Sequence, residues 1–212
     1  MLHPGLYLVT PDWPDTDALV AAVAALLPSR PALVQYRNKL ANSALKLEQA
    51  RRLLAVCRAV DVPLVINDDL VLALEIGADG AHLGRDDGDP AAARQQLGVG
   101  RILGVSCYNE WSRAVAAEAA GVDYLAFGAM YPSPTKPAAL RAPLDLLTRA
   151  KREFGLPVAA IGGITLENAP SLIDAGADLL AVISDVFSAP DPAARAVAFS
   201  GLFDRSHQEP SA

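Results

Sequence analysis

The amino-acid sequence predicts an α/β protein folded as a single (βα)8 TIM barrel, and three observations lead to this class. Short apolar runs alternate with helical patterns along all 212 residues, an order that is typical of parallel strands covered by helices. A Gly-x-Asp motif followed by an apolar run occurs at Gly77, Gly121 and Gly176, which indicates a helix that ends at a left-handed glycine before a strand. Eight strand–helix units of roughly 25 residues fit this length, so a closed barrel is favoured over a doubly wound open sheet.

Each strand is predicted from a continuous apolar run, because strands buried on both faces do not alternate apolar and polar residues. The first four predicted strands cover residues 5–10, 32–37, 63–67 and 79–83. The second four cover residues 102–106, 123–128, 157–162 and 179–183.

Helix starts are predicted from capping residues in the gaps between these strands. Asp89-Pro90 and Asp191-Pro192 have the order of an N-cap followed by a proline at the first helical position. Pro143 is interpreted as another first helical position, and Asn109 and Thr165 as N-caps. The barrel domain is predicted to span residues 1–205, with residues 206–212 as a frayed tail.

The composition argues against several classes of function. Hydrophobic residues make up 52% of the chain and charged residues 20%, with a formal net charge of −6, which argues against disorder and against binding of nucleic acid or an anionic membrane. The N-terminus lacks the basic and apolar regions of a signal peptide. Cys57 and Cys107 imply no disulfide framework, so the chain is predicted to be a cytoplasmic protein with reduced thiols. A homo-oligomer is compatible with the sequence.

Polar residues at the carboxyl ends of the predicted strands are the candidate functional groups, because (βα)8 barrels place their active sites there. The second strand ends in Gln35-Tyr36-Arg37-Asn38-Lys39. Alternate side chains of a strand share a face, so Gln35, Arg37 and Lys39 are expected to point the same way. An Arg and a Lys at a barrel mouth suit a phosphate or diphosphate, while the alternative is a solvated start of the next helix.

Acidic pairs follow the third and fourth strands, as Asn67-Asp68-Asp69 and Arg85-Asp86-Asp87. Each pair alone is explained by capping of the next helix or by binding of Mg²⁺ through hard oxygen ligands. Neighbouring parallel strands lie about 4.8 Å apart, so the two pairs are expected to meet. Carboxylates that meet beside Arg37 and Lys39 fit a Mg²⁺–diphosphate site, since without a cation they repel one another.

The remaining strand ends carry weaker signals. Ser106, in the fifth strand, is a hydrogen-bond donor or a turn residue. The sixth strand is followed by a stiff loop, Tyr131 to Pro137, whose Ser, Thr and Lys side chains suit an anion. Gly162-Gly163 and Ile183-Ser184 close the seventh and eighth strands, where barrels often bind phosphate through backbone N–H groups. His82, inside the fourth strand, is interpreted as a buried, hydrogen-bonded histidine.

The motifs at these strand ends resemble those of the thiamine-phosphate synthase (thiamine-phosphate pyrophosphorylase) family over nearly every strand. They are Val34 to Lys39, Ile66 to Asp69, His82 to Asp87, Gly104 to Ser106, Pro132 to Lys136, Ile161 to Ile164 and Ile183-Ser184. The resemblance implies an enzyme of thiamine biosynthesis that joins an amino-substituted hydroxymethylpyrimidine diphosphate to hydroxyethylthiazole phosphate, or to its carboxylated form. The products are thiamine phosphate and pyrophosphate, and Mg²⁺ is the implied cofactor.

The resemblance also implies roles for individual residues. It implies that Mg²⁺ is bound by Asp68 and Asp87. It implies that the pyrimidine diphosphate is bound by Gln35, Tyr36, Arg37, Asn38, Lys39, Asn67, Ser106 and Lys136. The implied binding residues for the thiazole phosphate are Ser133, Pro134, Thr135, Gly163, Ile183 and Ser184. The implied catalytic residues, which contact the departing diphosphate or the pyrimidine, are Arg37, Lys39, Lys136 and Ser106.

Two alternatives stay open at this point. Cys107-Tyr108-Asn109 stands where a Thr-His stretch is more frequent, and Arg85 stands where Gln is more frequent. One alternative is the related thiazole tautomerase, which shares the barrel but relies on a histidine in that region and usually lacks the full basic and acidic set. The other is a non-catalytic sensor of thiazole phosphate or thiamine phosphate, which needs no Mg²⁺–diphosphate site.

Overall fold

Eight parallel strands close into a barrel in the computed structural model, which describes residues 2–132 and 141–206. The strands follow one another around the barrel in chain order, and the eighth pairs with the first. The prediction of a (βα)8 barrel is therefore confirmed, and the open sheet is excluded. The closing pair runs from Gly5 beside Leu179 to Leu8 beside Val182.

The strands agree with the predicted ones to within one or two residues at each end. β5 is the longest strand, because a register shift between Ser106 and Tyr108 lets it continue past its predicted end. The bounds are β1 Gly5–Val9, β2 Leu33–Tyr36, β3 Leu64–Asn67, β4 Gly80–Leu83, β5 Ile102–Tyr108, β6 Tyr124–Phe127, β7 Val158–Ile161 and β8 Leu179–Val182.

Helices cover the outside of the barrel. The N-caps predicted at Asp89 and Asp191 are confirmed, because both carboxylates accept N–H groups from the first turn of the helix that follows. The helices of the described residues are α1 Thr16–Leu26, α2 Ser43–Arg58, α3 Leu70–Ile76, α4 Pro90–Leu97, α5 Trp111–Ala119, α6 Asp145–Glu153, α7 Ala169–Asp174, α8 Ser184–Phe187 and α9 Pro192–Ser206, with a 3-10 turn at Leu27–Ser29.

Three predicted helix starts are displaced. α5 begins at Trp111 and does not use Asn109 as its cap, because β5 extends past its predicted end and moves the helix start along the chain. Thr165 accepts an N–H in a turn that precedes α7. α6 begins at Asp145, after Pro143 rather than at it.

The alternation of side chains along the strands divides the core into two layers. One layer lies between the strands and the helices, and the other fills the barrel interior, where Tyr7, Leu33, Val65 and Tyr124 pack together. Gly104 makes room for the ring of Tyr124, because a Cβ atom at that position would lie 2.0 Å from a ring carbon. The interior therefore holds two large phenol side chains below the barrel mouth.

The recurring Gly-x-Asp motif forms the same clamp three times at the amino end of the barrel. Its glycines have φ values of 66° at Gly77, 74° at Gly121 and 106° at Gly176, a conformation that glycine adopts without strain. Each aspartate accepts a backbone N–H at the start of the preceding strand and forms an ion pair with a helix cation. The three sets are Asp79 with Leu64 and Arg58, Asp123 with Leu103 and Arg94, and Asp178 with Val158 and Lys151.

Both cysteines are free and buried, in agreement with the prediction of reduced thiols. Burial raises the pKa of Cys57 and of Cys107 to about 12, so both thiols stay protonated near neutral pH. In the part of the chain that the structure describes, no helix has the length and apolar character needed to cross a membrane.

Candidate active site

The segment after β2 carries the predicted cations, and residues after β1 hold it in place. The Thr10 hydroxyl accepts the N–H of Arg37 at 2.8 Å and donates to its carbonyl at 2.9 Å. The carboxylate of Asp12 lies 2.9 Å from Nη1 of Arg37 and accepts the backbone N–H of Lys39 at 2.7 Å. Asp12 therefore positions both cations. Its role was not predicted, because the pairing requires two loops that are distant in sequence.

The side chains of Tyr36 and Asn38 face the other way, toward α2. The Tyr36 hydroxyl and Asn38 Nδ2 both donate to Oε1 of Gln49, at 2.9 Å and 3.0 Å. Asn38 also accepts the backbone N–H groups of Leu40 and Ala41 through Oδ1. These contacts shape the β2–α2 loop, so any contact of this pair with a ligand is expected from the backbone.

The acidic pairs separate into capping residues and residues that face the cleft. Asp69 caps α3, because its carboxylate accepts an N–H from the first turn. Asp68 has a left-handed backbone, with φ 63°, and its Oδ2 lies 3.4 Å from Nζ of Lys39. Asp87 accepts the N–H of Gly84 at 2.9 Å. Helix capping therefore explains Asp69 but leaves Asp68 and Asp87 unexplained.

Asp68 and Asp87 lie side by side, as the adjacency of β3 and β4 predicts. A Cβ atom at Gly84 would lie 2.6 Å from an oxygen of Asp87 and 3.7 Å from an oxygen of Asp68. Partial burial, together with the hydrogen bond and the charge of Asp68, raises the pKa of Asp87, and the Gly84 N–H and Lys39 oppose this shift. Within residues 2–132 and 141–206 there is no group of three or more His, Cys, Asp or Glu side chains that could hold a metal ion.

A cleft of about 490 Å³ opens beside these acids. Its lining includes Lys39, Asn67, Asp68 and Asp87, together with Lys46 of α2. Lys46 makes no ion pair with any residue that the structure describes. This second lysine was not predicted, because nothing in the helical pattern of α2 distinguishes it from a solvated surface residue.

Below the mouth, five side chains form a continuous line of hydrogen bonds, here called the interior network. Gln35 Nε2 donates to the Tyr7 hydroxyl at 2.5 Å, and the hydroxyls of Tyr7 and Tyr124 are 2.7 Å apart. His82 Nδ1 lies 2.8 Å from the Tyr124 hydroxyl, and its Nε2 lies 2.8 Å from Oγ of Ser106. Burial lowers the pKa of His82 to about 4 and raises the pKa of both phenols. His82 is thus buried and hydrogen-bonded, as predicted.

The carboxyl ends of β7 and β8 carry the residues predicted for a second anion. Gly162 and Gly163 have φ values of 99° and 63°, and a Cβ atom at Gly163 would lie 2.4 Å from the carbonyl oxygen of Pro132. The glycines therefore let the segment after β6 pack closely against β7. Ile183 precedes α8, and Ser184 is its first residue. The other predicted residues of this site, Ser133, Pro134 and Thr135, lie outside the described residues, as does Lys136.

Comparison with known proteins shows which family the chain belongs to. A family model described as thiamine monophosphate synthase matches residues 6–186. The chain belongs to this family. The thiamine-phosphate synthase of Azoarcus sp. (strain BH72) is 64% identical over 199 residues, which cover 94% of this chain and 97% of that protein. The thiamine-phosphate synthase of Thiobacillus denitrificans is 52% identical over 205 residues, with 97% of each chain covered.

Solved structures agree with this assignment. Thiamine phosphate pyrophosphorylase from Pyrococcus furiosus superposes with a TM-score of 0.84 at 29% identity, covering 95% of this chain and 96% of that one. A 3-hexulose-6-phosphate synthase superposes with a TM-score of 0.68 at 20% identity, which shows the shared barrel alone. The resemblance in the motifs is therefore confirmed, and so is the prediction of an enzyme of thiamine phosphate synthesis.

Proposed function

We propose that this member of the thiamine monophosphate synthase family joins an amino-substituted hydroxymethylpyrimidine diphosphate to hydroxyethylthiazole phosphate or its carboxylated form. The observation that carries the proposal is the meeting of Lys39 with Asp68 and Asp87 at the rim formed by β2, β3 and β4. Arg37 lies two residues before Lys39 and is held by Asp12, which also accepts the backbone N–H of Lys39. A cation beside two adjacent carboxylates suits a metal-bound diphosphate, because a metal ion would relieve the repulsion between the acids and Lys39 would contact the remaining phosphate oxygens.

The proposed reaction exchanges two bonds at the methylene carbon of the pyrimidine. The carbon–oxygen bond to the diphosphate breaks, and its electron pair leaves with pyrophosphate. The lone pair of the thiazole nitrogen forms the new carbon–nitrogen bond, so that nitrogen becomes positively charged. The nitrogen has no proton to lose, so the protein needs no general base. Its task is to stabilise the departing negative charge and to align the two reactants.

The donor set of Asp68 and Asp87 fits Mg²⁺. This ion takes oxygen ligands and is commonly held by one or two carboxylates together with phosphate oxygens and water, so two adjacent aspartates suffice when a diphosphate is bound. Bound Mg²⁺ supplies positive charge that stabilises the pyrophosphate leaving group. Lys39, whose Nζ lies 3.4 Å from Asp68, is close enough to contact the same phosphates.

The other proposed roles follow the two halves of the rim. Arg37, Lys39, Asn67 and Lys136 bind the diphosphate, with backbone groups at Tyr36 and Asn38 contributing to the same site. Gln35 and Ser106 lie at the two ends of the interior network, and we assign them to contact with the pyrimidine. The thiazole phosphate is assigned to Ser133, Pro134, Thr135, Gly163, Ile183 and Ser184.

The proposal is tested with the purified full chain and both substrates, in the presence of Mg²⁺ or of EDTA. Thiamine phosphate and pyrophosphate are expected in equal amounts with Mg²⁺, and neither is expected with EDTA. Calorimetry of Mg²⁺ binding with pyrophosphate present gives a readout besides turnover, and Asp68→Asn is expected to abolish that binding.

Two results would overturn the proposal. Rearrangement of a thiazole phosphate without pyrophosphate release would indicate a tautomerase. Tight calorimetric binding of thiamine phosphate with no turnover of the two substrates would indicate a sensor. Turnover that persists undiminished in EDTA would remove Mg²⁺ from the proposal but keep the reaction.

A further inference from the structure

The interior network runs from β2 to β5 through the closed barrel. Its five members lie on five different strands, so no local motif could join them: Tyr7 lies on β1, Gln35 on β2, His82 on β4, Ser106 on β5 and Tyr124 on β6. Tyr7 and Tyr124 are 1% and 0% exposed, and His82 is 4% exposed. Water therefore has little access to their polar atoms, and each buried proton must find an acceptor within the network.

The direction of the hydrogen bonds follows from counting protons. The Gln35 amide donates to Tyr7, so the single phenolic proton of Tyr7 is available for Tyr124. The proton of Tyr124 then goes to Nδ1 of His82, since a hydroxyl carries one proton. A neutral imidazole that accepts at Nδ1 carries its proton on Nε2 and donates it to Ser106.

The barrel interior favours this neutral imidazole. The two ring nitrogens of His82 contact hydroxyl groups, and its ring stacks on Tyr124 with centroids 5.6 Å apart. A buried imidazolium would need a hydrogen-bonded carboxylate to offset its lost hydration, and none of the described carboxylates occupies either nitrogen. His82 is therefore neutral, and its neighbours determine which of its two ring nitrogens carries the proton.

We propose that the interior network holds His82 in its Nε2–H tautomer and thereby makes Ser106 a hydrogen-bond donor to a ring nitrogen of the pyrimidine substrate. The oxygen of Ser106 accepts from His82, so its own proton remains available for the ligand. An aminopyrimidine offers ring nitrogens with lone pairs, which need a donor. Tyr7, Tyr124 and His82 are then positioning residues. This inference rests on the proposed function, because it takes the aminopyrimidine as the ligand.

The first test measures the tautomer directly. In protein labelled with ¹⁵N-histidine, the ring nitrogen without a proton resonates far downfield of the protonated one, and the signals of His82 are those missing from His82→Gln. The inference predicts an unprotonated Nδ1 and a protonated Nε2 in the ligand-free protein. The opposite tautomer would overturn it, because Ser106 would then donate to His82 and could only accept from a ligand.

The second test asks whether Tyr124 acts through Ser106. Tyr124→Phe keeps the aromatic ring but removes the donor to Nδ1, so kcat/KM for the pyrimidine diphosphate is expected to fall roughly tenfold, the size of one lost hydrogen bond. The KM for the thiazole phosphate is expected to stay unchanged. In a Ser106→Ala background, Tyr124→Phe is expected to have no further effect on kcat/KM. Independent, multiplicative losses in the double variant would contradict the proposal.

A matched control separates this effect from general loss of a buried hydroxyl. Ser29→Ala removes the hydroxyl that donates to the Leu26 carbonyl at 2.6 Å, before β2 begins and away from the interior network. It is expected to keep the ¹⁵N signals of His82 and kcat/KM. A wild-type protein that is active but has the wrong tautomer refutes this inference alone, whereas a wild-type protein that makes no thiamine phosphate refutes the proposed function.

Discussion

The two ends of the barrel use aspartate in opposite ways. At the amino end, Asp79, Asp123 and Asp178 each have a backbone N–H and a helix cation as partners. At the carboxyl end, Asp68 and Asp87 lie beside one another, Lys39 forms an ion pair with Asp68, and Asp87 accepts the backbone N–H of Gly84. Each acid of the amino end therefore has both a backbone donor and a cation, while the two acids of the carboxyl end divide one such pair between them and also repel each other.

This difference indicates which acids serve stability and which serve a ligand. A carboxylate with a backbone donor and a paired cation gains little from a further partner, and its removal leaves the donor unpaired. Two adjacent carboxylates repel one another until a cation binds. The protein accepts this repulsion at the rim where (βα)8 barrels place their active sites, so the comparison predicts opposite outcomes for substitutions at the two ends.

The largest expected effect comes from neutralising the acids of the carboxyl end. Asp68→Asn and Asp87→Asn are each expected to lower kcat/KM by about 10²–10³-fold, the size of a lost contact that stabilises transition-state charge. At position 68, asparagine suits the left-handed backbone, which has φ 63°. At position 87, the amide oxygen of asparagine can still accept the N–H of Gly84. The thermal midpoint is therefore expected to stay within a few degrees of wild type.

The control is Asp174→Asn, which neutralises an exposed acid at the end of α7. It is expected to change neither kcat/KM nor the Tm. If either rim variant retained wild-type turnover and Mg²⁺ dependence, the distinction between the two ends would fail. The substituted acid would then be a solvated surface residue with no role in ligand binding.

The sequence predicts the barrel well because its signals are local. Apolar runs locate the strands, and the Gly-x-Asp motif at Gly77, Gly121 and Gly176 locates the amino end, since each motif folds from consecutive residues. The acid pair is also predictable, because β3 and β4 are consecutive neighbours in the sheet. Strand order therefore brings Asp68 and Asp87 together once the fold class is known.

The interior network could not be predicted from these signals. Tyr7, His82 and Tyr124 come from β1, β4 and β6, which do not pair with one another. Their hydroxyls and ring nitrogens meet only because the barrel closes and because Gly104 leaves space for a phenol ring. Asp12 was missed for the same reason, since its pairing with Arg37 depends on how two loops pack.

A moderate effect, on stability rather than turnover, is expected at the amino end. Asp178→Ala removes the acceptor of the Val158 N–H, at 2.9 Å, and the partner of Lys151, at 2.6 Å. Because the side chain of Asp178 is only 16% exposed, we expect a loss of about 1–3 kcal/mol in the free energy of unfolding. For a chain of this size that is a fall in Tm of roughly 2–4 °C per kcal/mol.

Turnover of Asp178→Ala is expected to match wild type at temperatures where the protein is folded. Calorimetric melting and steady-state kinetics on the same sample check both expectations, with Asp174→Ala as the matched exposed-acid control. A kcat/KM that fell while the Tm stayed constant would contradict the assignment of this acid to stability.

The smallest expected effect tests whether the comparison extends from acids to cations. The cations of the amino-end clamps are paired, whereas Lys46 lines the cleft and has no ion-pair partner among the described residues. Lys46→Gln is therefore expected to raise the KM for the pyrimidine diphosphate about 3–10-fold with little change in kcat, because a partly solvated charge interacts weakly through water. The increase should shrink as ionic strength rises, since salt screens such contacts.

The control is Arg152→Gln, which removes one positive charge from the exposed end of α6 and should leave the KM for the pyrimidine diphosphate unchanged. Equal effects of the two variants would mean that net charge, and not the position of Lys46 in the cleft, attracts the substrate.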